Sequence, residues 1–146
     1  MKIVTVVALA ARTPSWLAES ESEYAARIAG FYLQTHVVKP AATAKKTAAA
    51  MLAKMPPKAR LFLLDAAGET MDSAAFTAKL RAFLADSRPP VFVVGGAEGL
   101  PPPLRTRAEG FISLSPLTFA HAAARLILAE QLFRADCTMR NHPYPR

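Results

Sequence analysis

Cysteine is almost missing from this chain. Cys137 stands alone among 146 residues, so no intrachain disulfide can form, and no thiol or histidine partner lies near it at metal-binding spacing. A reducing compartment suits such a sequence, and we expect a cytoplasmic protein without a metal. Histidine is nearly as scarce, with only His36, His121 and His142. The chain has no HExxH, no Cys cluster and no GxSxG, which counts against zinc hydrolases and serine hydrolases. No apolar run approaches the roughly 20 residues that span a bilayer. The start, Met1 to Ala10, imitates a signal peptide with an Ala8-x-Ala10 cleavage site, but a first β-strand accounts for the same residues. Acidic residues are outnumbered, 11 against 18 Lys plus Arg, which leaves a formal charge of +7. That balance suggests a polyanionic partner, RNA or DNA rather than membrane, because no basic amphipathic helix stands out. A generally basic, soluble surface would explain the same number.

What is present describes a packed globule. Hydrophobic residues make up 52% of the chain, against disorder, and the length suits one domain, 1–146, rather than two. The run Val91-Phe-Val-Val-Gly-Gly-Ala-Glu-Gly-Leu100 organises the rest. Its valine-rich start reads as a fully buried strand that two glycines end. Glycine has no Cβ, so a ligand can approach the N–H groups of such a turn. The turn lacks GxGxxG spacing and the Lys-Ser/Thr of a P-loop, so a tight strand-to-helix connection is an equal reading.

Other segments follow in order. Ile3 to Ala8 predicts strand one, and a helix runs from Thr13-Pro14-Ser15 through Leu33. Strand two is Thr35 to Lys39, followed by an alanine-rich helix from Ala41 to Met55. Arg60 to Asp65 is strand three, ending in Ala66-Ala67-Gly68, and Ser73 caps a helix holding Phe76, Leu80, Phe83 and Leu84. After the Val91–Val94 strand, a short helix runs from Pro101 to about Ala108, and Phe111 to Ser115 is the fifth strand. Thr118 to Cys137 is the last helix, with an apolar stripe of Ala122, Leu126, Ala129 and Phe133 and a Glu130–Arg134 pair. Strands alternating with helices imply a three-layer α/β domain with a mostly parallel sheet of five to six strands. The loops leaving the carboxyl ends of parallel strands form the ligand crevice. Three suit that role: Leu64–Gly68, Gly95–Leu100 and Ser113–Phe119.

Reactive side chains are few. His121 and Arg125 lie one helical turn apart, so both can face one ligand; a satisfied residue at a helix start explains His121 equally. Asp65 and Glu98 fall in strand-end loops, where two carboxylates can do acid/base work, or Asp65 can cap a turn. The tail, Arg140-Asn-His-Pro-Tyr-Pro-Arg146, concentrates arginine, histidine and tyrosine, which suits phosphate binding and base stacking. A frayed terminus is the plain alternative.

The combined order of Val94-Gly-Gly-Ala-Glu-Gly-Leu100, Leu114-Ser-Pro-Leu-Thr-Phe-Ala-His121, Arg125, Glu130-Gln131, Arg134-Ala135 and Asn141-His-Pro-Tyr144 is more specific. With these motifs the chain resembles the RlmH family of SPOUT-class methyltransferases, along essentially its whole length and most strongly from Leu61. The resemblance implies a SPOUT-type fold with a C-terminal trefoil knot, which binds S-adenosylmethionine. It also implies a homodimer without a separate RNA-binding domain, methylating N3 of a pseudouridine in large-subunit rRNA on assembled ribosomes. The family's cofactor contacts fall on Leu64, Gly95, Leu114, Ser115, Pro116, Leu117, Thr118 and Phe119. Arg125, Arg140, His142 and Tyr144 are the residues we expect to handle the substrate, with His142 the candidate base and the tail reaching the partner's cofactor. The chain departs from the family pattern at Leu9-Ala10-Ala11, where a glycine is usual, and in its short, alanine-rich stretch after strand two. Pro116 and Pro145 are further departures. Two other readings are a related methyltransferase acting on another RNA such as tRNA, and a non-catalytic basic RNA-binding or ribosome-assembly factor.

Overall fold

Five strands, all parallel, form one sheet in the order β2-β1-β4-β3-β5. The structure, a computed structural model, describes residues 1–144; Pro145 and Arg146 of the tail motif lie outside them. The chain runs β1 (Ile3–Leu9), α1 (Ser15–Arg27), β2 (Tyr32–Val38), α2 (Ala44–Leu52), β3 (Arg60–Thr70), α3 (Ser73–Ala85), β4 (Pro90–Val94), α4 (Pro102–Arg107), β5 (Gly110–Ser113) and α5 (His121–Met139). The expected α/β class and parallel sheet are what the chain forms, with five strands among the described residues.

The valine-rich strands are apolar throughout because both faces of the sheet are covered. Successive side chains point to opposite faces, so Phe92 and Val94 enter one core with Phe62, Phe76, Leu80 and Phe133. Val91 and Val93 enter the other with Met51, Leu61, Leu63 and Leu104. Helices α1, α3 and α5 therefore cover one face, and α2 and α4 the other. All five residues of β4 are buried, which makes the opening run the centre of the molecule. The residues that imitate a signal peptide form β1, paired on both sides with β2 and β4.

Several boundaries differ from expectation. The first helix ends at Arg27, not Leu33, and β2 starts at Tyr32. There Asp136 of α5 accepts the Ala29 and Gly30 N–H groups at 3.0 and 2.8 Å, and the Tyr32 N–H bonds to the Lys2 carbonyl. These long-range bonds hold the chain out of helical geometry although apolar spacing continues. Strand β3 runs past Asp65 to Thr70, re-pairing with β5 after an irregularity between Leu64 and Glu69. Gly68 permits that second pass: a Cβ there would lie 2.7 Å from the Phe111 backbone. Asp72, not Ser73, caps α3, its Oδ1 accepting the Ala75 N–H at 2.8 Å. Finally, β5 ends at Ser113 and α5 begins at His121, which lengthens the loop between them.

Helix α5 buries Ala129 and Phe133 as expected, leaves Ala122 and Leu126 half-buried, and turns more residues inward than the expected stripe. Its buried residues include Arg125, Leu128, Ala129, Leu132, Phe133, Asp136 and Cys137, spaced as one face of a 3.6-residue helix. The helix packs against both α1 and α3. Two positions of that inward face carry charge.

Candidate cofactor pocket and tail

Because the strands are parallel, the loops leaving β4 and β5 emerge at one end of the sheet beside Leu64, Asp65 and Ala66, which lie within β3 at its irregularity and not in the loop expected there. Together they enclose a cavity of about 580 Å³. Leu64, Gly95, Leu114, Ser115, Leu117, Thr118 and Phe119 all line it; of the expected cofactor residues only Pro116 does not. Leu117, 69% exposed, is an apolar side chain left open to solvent in this wall.

The glycine turn closes on itself. The Gly99 N–H donates to the Gly96 carbonyl at 3.0 Å, and Gly99 has φ +81°, a conformation that favours glycine. A Cβ on Gly96 would stand 2.9 Å from the Leu9 carbonyl oxygen, so this turn rests against the end of β1. In the third loop the Ser113 hydroxyl donates to the Ser115 carbonyl at 2.8 Å, and the Leu117 N–H donates to Ser115 Oγ at 3.0 Å. Side-chain hydroxyls thus set this loop's shape, and Pro116 is exposed beside it.

Asp65 is both a turn cap and half of an ion pair. Its Oδ1 accepts the Ala67 N–H at 2.9 Å, and Oδ2 accepts from Arg105 at 3.0 Å. The backbone bond, then the guanidinium, hold its carboxyl below the usual range, so the pocket keeps a negative charge in its wall. A depressed folded-state value means stability that is present above the unfolded carboxylate value, near about 4, and lost as pH falls through the depressed one. We therefore expect Asp65→Asn to melt below the parent chain at neutral pH and the gap to close in acid, in thermal melts of both chains. Arg105, Ala120 and Ala124 also line the cavity and were not foreseen; nothing in the sequence separates Arg105 from its neighbour Arg107.

The residues expected to handle substrate lie elsewhere. His121 lines the cavity, but Arg125, one turn on, turns toward α1. It is 2% exposed, donates through Nε and Nη2 to both carboxylate oxygens of Glu21 at 3.1 and 2.7 Å, and donates through Nη1 to Thr13 at 3.1 Å. Arg140 is held by Asp136 at 2.8 Å. His142 is exposed, and its Nδ1 accepts the Tyr144 N–H at 3.2 Å. Tyr144 folds back on α5: its hydroxyl donates to Glu130 at 2.6 Å and its ring packs 4.7 Å from Phe133. Burial first, and then the Glu130 carboxylate, push its phenol well above the ordinary value. Glu130 also accepts from Arg134 and Gln131, and Ser73 of α3 donates to Gln131 at 2.8 Å. None of the described tail residues, Arg140 to Tyr144, lines the pocket of its own chain.

Known proteins resemble this chain in sequence and in fold. A family model described as "Predicted SPOUT methyltransferase" matches residues 1–145, and the chain belongs to that family. Ribosomal RNA large subunit methyltransferase H of Chromobacterium violaceum is 35% identical over 153 residues, covering 98% of each chain. The protein of the same name from Solibacter usitatus is 52% identical over 90 residues, 62% of this chain and 65% of that one. A solved structure from work on 2-OH methylation of tRNA superposes with a TM-score of 0.54 at 17% identity, covering 96% of this chain and 98% of the other, a likeness of fold. Among the described residues no helix is long and apolar enough to cross a membrane.

Proposed function

We propose that residues 1–146 act as one methyltransferase domain that moves a methyl group from S-adenosylmethionine to N3 of a pseudouridine in large-subunit rRNA on assembled ribosomes. The observation that carries this reading is convergence: in a SPOUT-family chain, seven residues from the middle of β3, the loop after β4 and the loop before α5 line a single cavity. The residues fit the cofactor. A volume of about 580 Å³ lies within the range of roughly 300–1,000 Å³ for small-molecule pockets. Leu64, Leu114, Leu117 and Phe119 offer apolar cover for an adenosine, the glycine turn offers close backbone, and ionised Asp65 complements the cofactor's positive charge.

When bound, the cofactor supplies an activated methyl group on a sulfonium. This chain's residues would then have to hold the acceptor ring nitrogen in line with that methyl group and take up its N–H proton. The chain's own contribution is alignment of the two partners, which can be worth several kcal/mol, and positive charge near the ring anion. In this proposal His142 is the candidate base, and Arg140 and Tyr144 hold the target nucleotide. Arg125 acts by positioning, since it ties the loop after β1 to α5. That the described part of the tail, Arg140 to Tyr144, does not line its own pocket supports a homodimer in which the tail serves the partner's. The chain threading implied by the family, and a cytoplasmic site of action, belong to the same proposal.

The test is reconstitution of purified protein, S-adenosylmethionine and ribosomes lacking the modification, followed by nucleoside mass spectrometry. One added methyl on pseudouridine is expected. Transfer to tRNA instead would change the substrate, and no transfer with no cofactor binding would favour a non-catalytic RNA-binding factor. Tyr144→Ala should lower transfer by about a hundredfold or more, as expected when an interaction made in the transition state is removed, while cofactor affinity by calorimetry stays within about twofold. Unchanged transfer would remove the tail from the site.

A further inference from the structure

A second cavity, of about 740 Å³, lies beside the first and is not explained by the cofactor loops or the tail. It opens at the carboxyl ends of β1, β2 and β4. In the order β2-β1-β4-β3-β5, the connection from β1 leads toward β2 and the connection from β4 leads the other way, toward β5. Loops diverging from adjacent strands leave a crevice, the place where open parallel sheets hold ligands. Its walls are Leu9–Arg12 after β1, Pro40–Ala44 after β2, and Gly96–Pro102 after β4.

The charge around this crevice is mostly positive. Arg12 lines it, and Lys39, Lys45 and Lys46 flank its lining residues in sequence, all of them exposed. Among the described residues Glu98 is the one carboxylate of the lining. The hydroxyl of Thr47, by contrast, is committed to the Thr43 carbonyl and the Ala41 N–H and shapes the wall.

The two cavities also share a wall. Gly96, Ala97, Gly99, Leu100 and His121 line both. Most of that divider is backbone with little or no side chain, so groups held on its two sides can approach closely. His121 is the titratable side chain common to both linings.

We propose that the second cavity receives one unstacked nucleotide of the RNA substrate. Its phosphate lies toward Arg12 and the rim lysines, and its base lies toward the shared wall at His121, where acceptor meets donor. This rests on the methyltransferase reading above and adds where the RNA enters. Sequence-specific RNA recognition works on bases splayed out of single strands, and the unstacking that extrudes a base is unfavourable, which contacts between phosphate and basic residues offset.

Two variants test the site. Arg12→Ala removes an exposed charge without disturbing the core, and Ala42→Trp fills the crevice. Both should bind S-adenosylmethionine within about twofold of the parent chain, because the first cavity is untouched. For a fluorescent single-stranded oligouridine RNA, Arg12→Ala should weaken binding and lower the slope of log affinity against log salt by about 1. On ribosomes lacking the modification, Ala42→Trp should lower kcat/KM by about tenfold or more, as expected when a bound substrate loses its place. Parent-like kcat/KM in Ala42→Trp would overturn the proposal, as would an unchanged salt slope in Arg12→Ala. Loss of cofactor binding in Ala42→Trp would also overturn it by giving the crevice to the cofactor. A parent chain that methylates no RNA would instead defeat the functional reading, while the oligouridine measurements would still decide whether RNA occupies the crevice.

Discussion

Asp136→Ala is expected to destabilise the protein by about 3–5 kcal/mol, the range for removing one partner of a buried charged network. Asp136 is 1% exposed and stands on the inward stripe of α5, where an apolar residue would ordinarily sit. Its two oxygens accept the Ala29 and Gly30 N–H groups and the Arg140 guanidinium. Alanine would leave two backbone donors without an acceptor, each costing about 1–3 kcal/mol if still buried. Arg140 is about a third exposed, so water can take over part of its hydration. The loop from α1 to β2 depends on the same carboxylate, because a Cβ on Gly30 would stand 2.7 Å from Asp136 Oδ1. Asp136→Asn should fall between the two, since its amide NH₂ must face a backbone donor where an oxygen now accepts. Urea unfolding followed by circular dichroism reads both variants, and the alanine chain should melt on the order of 10 °C lower. A loss below about 1 kcal/mol would mean that water satisfies the loop's amides.

The same residue shows where sequence reading stops. The sheet was legible because β1, β3 and β4 are apolar on both faces, and runs such as Val91–Val94 have no other stable use in a chain of this kind. The pocket was legible for a related reason: strand ends are marked by glycine, proline and serine, and in a parallel sheet those ends meet. Helix α5 was only half read because its stripe was sought among apolar residues alone. Ala129 and Phe133 are buried as expected, and Arg125 and Asp136 share their helix face, but charged side chains are rarely buried unless paired and were passed over. Their partners, Glu21 and the Ala29–Gly30 amides, are over a hundred positions away, and no local pattern reports a pairing at that distance. The extension of β3 to Thr70 was hidden likewise, because it depends on β5 lying against Gly68. The second cavity could not be read at all, as its walls come from three loops whose sequences are mostly alanine, glycine and proline.

Arg125→Ala should cost a similar amount, about 3–5 kcal/mol, because it strands the Glu21 carboxylate in a place that solvent barely reaches. The Glu21 side chain is 11% exposed and its partner 2%. Lysine should restore little: the present contact uses Nε and Nη2 on the two oxygens of Glu21 and Nη1 on Thr13, and a single ammonium cannot reproduce that fork. The informative chain is the double variant Arg125→Met with Glu21→Met. Replacing both members of a buried ion pair by apolar residues of similar volume is often neutral or stabilising, so the double variant should regain most of the stability that Arg125→Ala loses. Its activity then separates two roles that share one side chain. If Arg125 only wedges the loop after β1 against α5, the refilled core keeps Arg12 and His121 in place, and methyl transfer should recover to within about tenfold of the parent chain. Full stability with transfer still absent would mean that the guanidinium leaves Glu21 and meets RNA during the reaction. The bidentate geometry and deep burial favour the wedge, and unfolding curves run beside transfer assays on the same preparations decide it.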